Sequence, residues 1–415
     1  MAAPVPERVV LFHDFSEALG GASYLVQVLI SQLRERNVPV TFIAGDSGVN
    51  FRRSDVDFIA LQEKPLLERS APGAFTQGFY NHRAYRAVKG WIAQHDTPGT
   101  VYHAHGWSKI LTPAVFAALN RVSDRLLLHG HDYFNGCPNG AFFNYALEQD
   151  CALEPLGMAC LRSQCDKTSY AQKLWRSGRE GLRRKLLKGG ANASRLLMIH
   201  PGQKGNFLCA QWPKEKLFPL RNPVSPLSAE RVRVEDNCGV IYIGRVSAEK
   251  GADLAALAAA RAGLPITFVG DGGEIERVRR LNPDAVLLGR LDRSGAAKAL
   301  ARARVAVMPS RWSEPFGLVA LEAIGSGVPV VVSDRALVAR EIEEAGLGVA
   351  SDTANVETFA RTLQILHDDG DRILAMSRAG HERYLDLCNT ETEWAEKILG
   401  HYADVLWSAE QRRGG

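Results

Sequence analysis

Residues Ser310–Asp334 read SRWSEPFGLVALEAIGSGVPVVVSD. An irregular opening around Pro315 gives way to an apolar helical run, then to Gly325, Ser326 and Gly327, then to the β-branched strand VPVVVSD. The run just before, RVAVMPS, is also a strand. Strand, helix and strand in quick succession call for a parallel sheet covered by helices. Two glutamates stand at telling places, Glu314 ahead of the helix and Glu322 eight positions later and well inside it. Pro315 disfavours the helical conformation at Glu314. The helix is therefore expected to begin near Phe316 or Gly317 and to run through Ser326.

The same alternation extends in both directions. CGVIYIGRV, LPITFVGDG and DAVLLGR are strands upstream, and KGADLAALAAARAG is a helix between the first two. The first half repeats the plan with the strands RVVLFHDF, VPVTFIAG, TVYHAHG and RLLLHGHD, and RLLMIHPG and KLFPLRNPV close it. GGASYLVQVLISQLRERN and KILTPAVFAALNRV are its helices. Residues 224–237, VSPLSAERVRVEDN, have no clear period and read as a connection. Two doubly wound α/β domains are expected, residues 1–222 and 223–390, with an insertion at 133–170 and a mostly helical chain after Glu341. Ligands of such sheets sit outside the carboxyl ends of the strands, and two facing domains would make a cleft there.

Composition agrees with this frame. A chain of 415 residues suits two domains with a core each. Hydrophobic content of 46% and charged content of 23% are ordinary for a globular protein. A net charge of +4 is too mild for the footprint of a nucleic-acid binder, so nucleic acid is not an expected partner. The first residues lack a secretory pattern, and no apolar run is long enough to span a bilayer. The expected location is cytoplasmic, at most peripheral on the inner membrane face.

The residues just after strands carry the chemistry. In YIGRVSAEKG, Arg245 and Lys250 follow a strand that ends at Gly244. Arg can fork to two oxygens and Lys is a compact point charge, so the pair suits a diphosphate; the alternative is a solvated basic loop. The helix start after Pro315 offers free N–H groups to an anion. Glu314 beside it can take sugar hydroxyls. Glu322 lies roughly 8–9 Å further along at ~1.5 Å per residue, a nucleotide's length away. Two surface acids are the plainer reading. VGDGG, with Gly270, Gly272 and Gly273, lacks the G-x-G-x-x-G spacing, so a nicotinamide cofactor is not expected. In the first half, Gly20 and Gly21 sit between a strand and its helix, for close approach to a ligand or for a tight turn. His103, His105, His129 and His131 crowd two adjacent strand ends. Asp132 is placed either to orient His131 or to cap a turn.

Arg245, Lys250, Glu314 and Glu322, in that order, resemble the donor-site signature of retaining glycosyltransferases of family 4, which have the GT-B fold. VGDGGE and LLGRLDRS match the pattern too, and the two glutamates within EPFGLVALEAIGSGVPVV are its most specific part. The resemblance spans nearly the whole chain and is strongest from Gly239 to Asp334. It implies that Glu314 binds donor-sugar hydroxyls, flanked by the amides of Phe316 and Gly317, and that Glu322 holds the ribose. Arg245 and Lys250 would neutralise the leaving diphosphate. The loop at Gly20 and Gly21 would lie near diphosphate and acceptor, and the base would meet backbone around Gly270 and Arg290. His131, rather than His129, would sit near the anomeric carbon. Residues 391–415 would return onto the first domain. The implied reaction moves a hexose from a UDP- or GDP-sugar to a glycan or lipid-linked acceptor with retention, in polysaccharide or glycolipid synthesis, and needs no metal for catalysis. A nucleotide-sugar epimerase and a non-catalytic sugar-nucleotide binder are the alternatives.

Two further features stand outside that signature. Cys137, Cys151, Cys160 and Cys165 crowd the insertion after His131 with gaps of thirteen, eight and four residues. A structural zinc on the four, free thiols and disulfides all remain open, because no compact C-x2-C pair occurs. Residues 171–190 carry seven cations against Glu180. They read as a basic amphipathic helix, either lying on an anionic membrane or packed on the sheet with a solvated basic face.

Overall fold

The computed structural model describes residues 5–18 and 20–414. The chain divides into two compact units. Met1–Leu147, Cys151–Leu220 and Glu391–Gly415 form one, and Glu148–Asp150 with Arg221–Thr390 form the other.

The first unit is built on seven strands: β1 (Arg8–His13), β2 (Val40–Ala44), β3 (Asp57–Ala60), β4 (Thr100–Ala104), β5 (Leu126–Gly130), β6 (Arg195–Met198) and β7 (Leu217–Pro219). All pair in parallel, in the order β3-β2-β1-β4-β5-β6-β7. Val9 to Phe12 and Leu126 to Leu128 are wholly buried, as strands covered on both faces require. The helix Glu391–Gly414 belongs to this unit and buries Trp394, Ile398 and Tyr402.

The second unit has six parallel strands: β8 (Gly239–Ile243), β9 (Ile266–Val269), β10 (Val286–Leu287), β11 (Ala303–Met308), β12 (Val330–Ser333) and β13 (Gly348–Ser351). Their order is β10-β9-β8-β11-β12-β13. In both sheets the winding reverses beside the first strand, between β1 and β4 and between β8 and β11. Such a reversal opens a crevice at the strands' carboxyl ends.

The structure refines two local expectations. The chain after Glu341 is mostly helical as expected, but it also supplies β13, which pairs with β12 in full register from Val330 with Gly348 to Ser333 with Ser351. The helix of the opening stretch runs Leu318–Gly325, and Ser326 caps it. It starts late because Gly317 takes a left-handed conformation, φ +72°, which turns the chain into the helix and which other residues rarely adopt.

Candidate donor-binding site

The second unit gathers its charged residues where the winding reverses. β8 ends at Ile243, and Arg245 follows with its side chain 66% exposed and Nη1 3.7 Å from Glu249. The Tyr242 hydroxyl donates to the Arg245 carbonyl at 2.6 Å and fixes that turn from below. β11 ends at Met308, and the next loop brings Glu314 to Lys250. Lys250 Nζ donates to Glu314 Oε2 at 2.5 Å, and Ser310 Oγ donates to the same oxygen at 3.3 Å. The ammonium also lies 5.4 Å above the Trp312 ring. The structure thus brings together a cation and an acid that are 64 residues apart.

Two residues with no sequence signal build this loop. Arg311 forks onto the buried Asp253 with contacts of 2.6 and 2.8 Å and also donates to the Ala248 carbonyl. Burial would raise the Asp253 carboxyl, but Arg311, with help from Arg277, outweighs it and holds the group below its ordinary value. The Arg311 amide donates to the Glu249 carbonyl at 3.0 Å. The loop bearing Glu314 is thereby clamped to the loop bearing Lys250.

Glu322 is the fifth residue of the helix Leu318–Gly325. Its Oε1 accepts from Arg293 at 3.1 Å, and Arg293 also reaches the carbonyls of Ser225 and Pro226. Burial raises the Glu322 carboxyl despite the arginine. Phe316 is buried, so only its backbone is available to a ligand, whereas Arg290 is exposed. Gly270 donates its amide to the Gly289 carbonyl at 2.8 Å, which joins the two loops expected to meet a base. It adopts φ +141°, and a Cβ there would fall 1.8 Å from the Gly244 carbonyl oxygen, so the position admits only glycine.

In the first unit His131 follows β5. Its Nε2 lies 3.0 Å from His105 Nδ1, so a histidine orients it. Asp132 does not, because its Oδ1 accepts the Phe134 amide at 2.9 Å in a turn. Burial lowers His131 to about 3 and pushes Asp132 up to about 6. His103 Nδ1 meets the Tyr402 hydroxyl at 2.7 Å. His103, His105 and His129 place ring nitrogens within 4.8 Å of one another, the closest approach to a metal-ligand set among the described residues. Their ring centroids lie 4.0–5.3 Å apart, with His129 stacked on the other two and His103 and His105 tilted by 40°. Burial keeps all three neutral near pH 7. Gly20 is extended, φ −171°, with open space where a Cβ would stand, and Gly21 opens the helix Gly21–Glu35. Asp14, a further residue without sequence signal, accepts the amides of Lys109, Ile110 and Leu111 at 2.8–2.9 Å and anchors the loop after β4.

The four insertion cysteines are free thiols that do not form a converging set of four. Cys137 donates to Asn139, while Cys160 and Cys165 both face Lys173. The basic helix, Tyr170–Leu186, also differs from its sequence reading. Lys173, Arg179 and Arg183 point inward, Arg179 to the Ser108 carbonyl and Arg183 to Glu180, while Leu174 is exposed. Among the described residues no helix is long and apolar enough to cross a membrane.

Comparison with known proteins adds lineage. Residues 227–383 match the family described as Glycosyl transferases group 1. Glycogen synthase of Mycobacterium tuberculosis is 31% identical over 169 residues, which cover 38% of this chain and 40% of that protein. The chain thus aligns with under half the length of this relative. Sucrose-phosphate synthase of Thermosynechococcus elongatus has the same fold, with a TM-score of 0.73 over 97% of this chain and 99% of that one at 18% identity. HepE of Anabaena, solved in complex with UDP, superposes with a TM-score of 0.66 over 96% of this chain and all of that one at 15% identity. The chain has the GT-B fold, and its residues 227–383 match a glycosyl transferases group 1 domain.

Proposed function

We propose that the chain is a retaining glycosyltransferase of family 4 that moves a hexose from a UDP- or GDP-sugar to a glycan or lipid-linked acceptor. The observation that carries this reading is the Lys250–Glu314 pair beside Arg245, clamped by Asp253 and Arg311, where the second sheet's winding reverses. As the glycosyl bond ionises, negative charge grows on the departing diphosphate, and fixed cations stabilise it. Arg245 is exposed, with only a 3.7 Å contact to Glu249, and its guanidinium suits a fork onto phosphate oxygens. Lys250 is held in place by Glu314 until the donor arrives. Glu314 then takes hydroxyls of the sugar, and Glu322, positioned by Arg293, takes those of the ribose. Two protein cations meet the charge, so the reading needs no divalent metal. His131, neutral at physiological pH, lies beside the sugar in this scheme, and Gly20 leaves its loop open to the acceptor.

The UDP complex of HepE supports a nucleoside diphosphate as the donor's leaving group. Calorimetric titration with UDP and GDP tests the reading, followed by slow hydrolysis of UDP- and GDP-sugars with the anomer of the released sugar read by NMR. Binding of one diphosphate, weakened by Lys250→Ala and Arg245→Ala, is expected. A protein that binds neither nucleotide refutes the reading, and release of the inverted anomer refutes retention.

A further inference from the structure

Lys173 projects from the inner face of the helix Tyr170–Leu186 and is 1% exposed. Its Nζ lies 3.0 Å from Cys165 Sγ and 3.3 Å from Cys160 Sγ, and both thiols are buried. Among the described residues no carboxylate pairs with this ammonium. Asn139 Nδ2 steadies Cys165, donating to its carbonyl at 3.1 Å and to its sulfur at 3.5 Å. A metal ion on these two thiols would have to displace a cation that already donates to both. Thiols beside a lysine are the ones that supply thiolate, and thiolate is the form that peroxides oxidise. Burial pushes the nearby Cys137 up to about 12 and also raises Cys151.

We propose that Lys173 and Cys165 form a reversible N–O–S cross-link when the protein meets hydrogen peroxide, a modification site independent of sugar transfer. In the first step the Cys165 thiolate attacks peroxide. An S–O bond forms, the O–O bond breaks, and the products are sulfenate and water. The Lys173 ammonium then passes its proton to the sulfenate, which leaves amine and sulfenic acid. A second peroxide oxidises this pair: the N–O bond forms, one hydrogen leaves nitrogen and one leaves the sulfenic oxygen, and two waters depart. In sum, R–SH, R′–NH2 and two H2O2 give R–S–O–NH–R′ and three H2O. Each peroxide accepts two electrons, first from sulfur and then in forming the N–O bond. Dithiols reverse the change by reducing it to thiol and amine. The bridge ties the insertion that follows His131 to the helix Tyr170–Leu186.

The full-length protein, purified under reductant, is exposed to hydrogen peroxide, quenched with catalase and weighed intact. The expected product is about 14 Da heavier, one oxygen gained and two hydrogens lost, and dithiothreitol restores the starting mass. In the tryptic map Ser163–Lys167 should be joined to Thr168–Arg176, with no cleavage after Lys173. Lys173→Arg and Cys165→Ser should abolish the joined peptide, and Cys160→Ser should keep it. If a variant fails to fold, the wild-type peptide map decides alone. A chain about 2 Da lighter, joined from Cys160 to Cys165, would overturn the proposal. So would one equivalent of zinc bound to the untreated protein through these thiols, or an unchanged mass after peroxide.

Discussion

Replacing Asp132 with asparagine should stabilise the first unit, and by an amount that depends on pH. The carboxyl moves from an ordinary 3.8 to about 6, mainly because burial disfavours its charged form. The folded state therefore holds this proton more tightly than the unfolded state does. Below pH ~4 both states are protonated and the group costs nothing. Between about 4 and 6 the unfolded chain ionises first, and stability falls. Above about 6 the loss is complete, ~3 kcal/mol at ~1.36 kcal/mol per pH unit. Asparagine keeps an oxygen to accept the Phe134 amide, so the turn survives, and it carries no charge to bury. Asp132→Asn should accordingly match the wild type near pH 4 and exceed it by ~2–3 kcal/mol at pH 8. Urea unfolding at the two pH values, followed by fluorescence of the first unit, reads the difference. Equal stability at pH 8, or a mutant that is weaker there, would refute the burial argument. Turnover should be retained, because His131 takes its orientation from His105.

Other perturbations probe the second unit. Lys250→Ala and Arg245→Ala should each raise the dissociation constant for UDP or GDP about 10- to 100-fold by calorimetry, as a charge-assisted contact of ~1.5–3 kcal/mol is lost. Unchanged affinity in both would dismantle the phosphate site. Glu322→Gln should weaken nucleotide binding while lowering stability less than a lost ion pair normally would, since burial already disfavours this charge; equilibrium unfolding and titration on one sample separate the two effects. Gly270→Ala forces a Cβ against the Gly244 carbonyl and should cost more than ~2 kcal/mol in stability, with nucleotide binding lost; a variant that behaves like the wild type would show that the two loops are free to separate. A chelator should leave donor hydrolysis unaltered, and activity that vanishes with EDTA and returns with a divalent ion would contradict a charge supply from Arg245 and Lys250.

What could be read from sequence alone follows from range. Strands buried on both faces announce themselves as short apolar runs, mostly β-branched, so β1, β2, β5, β8, β11 and β12 were legible. β13 was not, because GVAS owes its extended form to pairing with Val330–Ser333 and holds only one β-branched residue. Glu314 and Lys250 were legible as chemistry but not as a pair, since spacing says nothing about partners 64 residues apart. Arg311 and Asp253 left no trace at all, because a clamp between two loops is a tertiary fact. The basic helix misled for a related reason. Periodicity assigns cations to solvent, and only the fold reveals the thiols, Glu180 and the Ser108 carbonyl that draw Lys173, Arg183 and Arg179 inward.

The membership of Glu391–Gly415 in the first unit has a consequence for biosynthesis. Nearly all of the second unit, Arg221–Thr390, leaves the ribosome as one uninterrupted stretch and can fold on emergence. The first unit, although most of it is translated earlier, must wait for residues 391–415. Until they arrive, the sheet surface that Trp394, Ile398 and Tyr402 will cover stays open to water, and His103 lacks its hydroxyl partner. The order of completion is thus the reverse of the order of translation. A chain truncated after Thr390 should hold a finished second unit and a first one that still recruits chaperones.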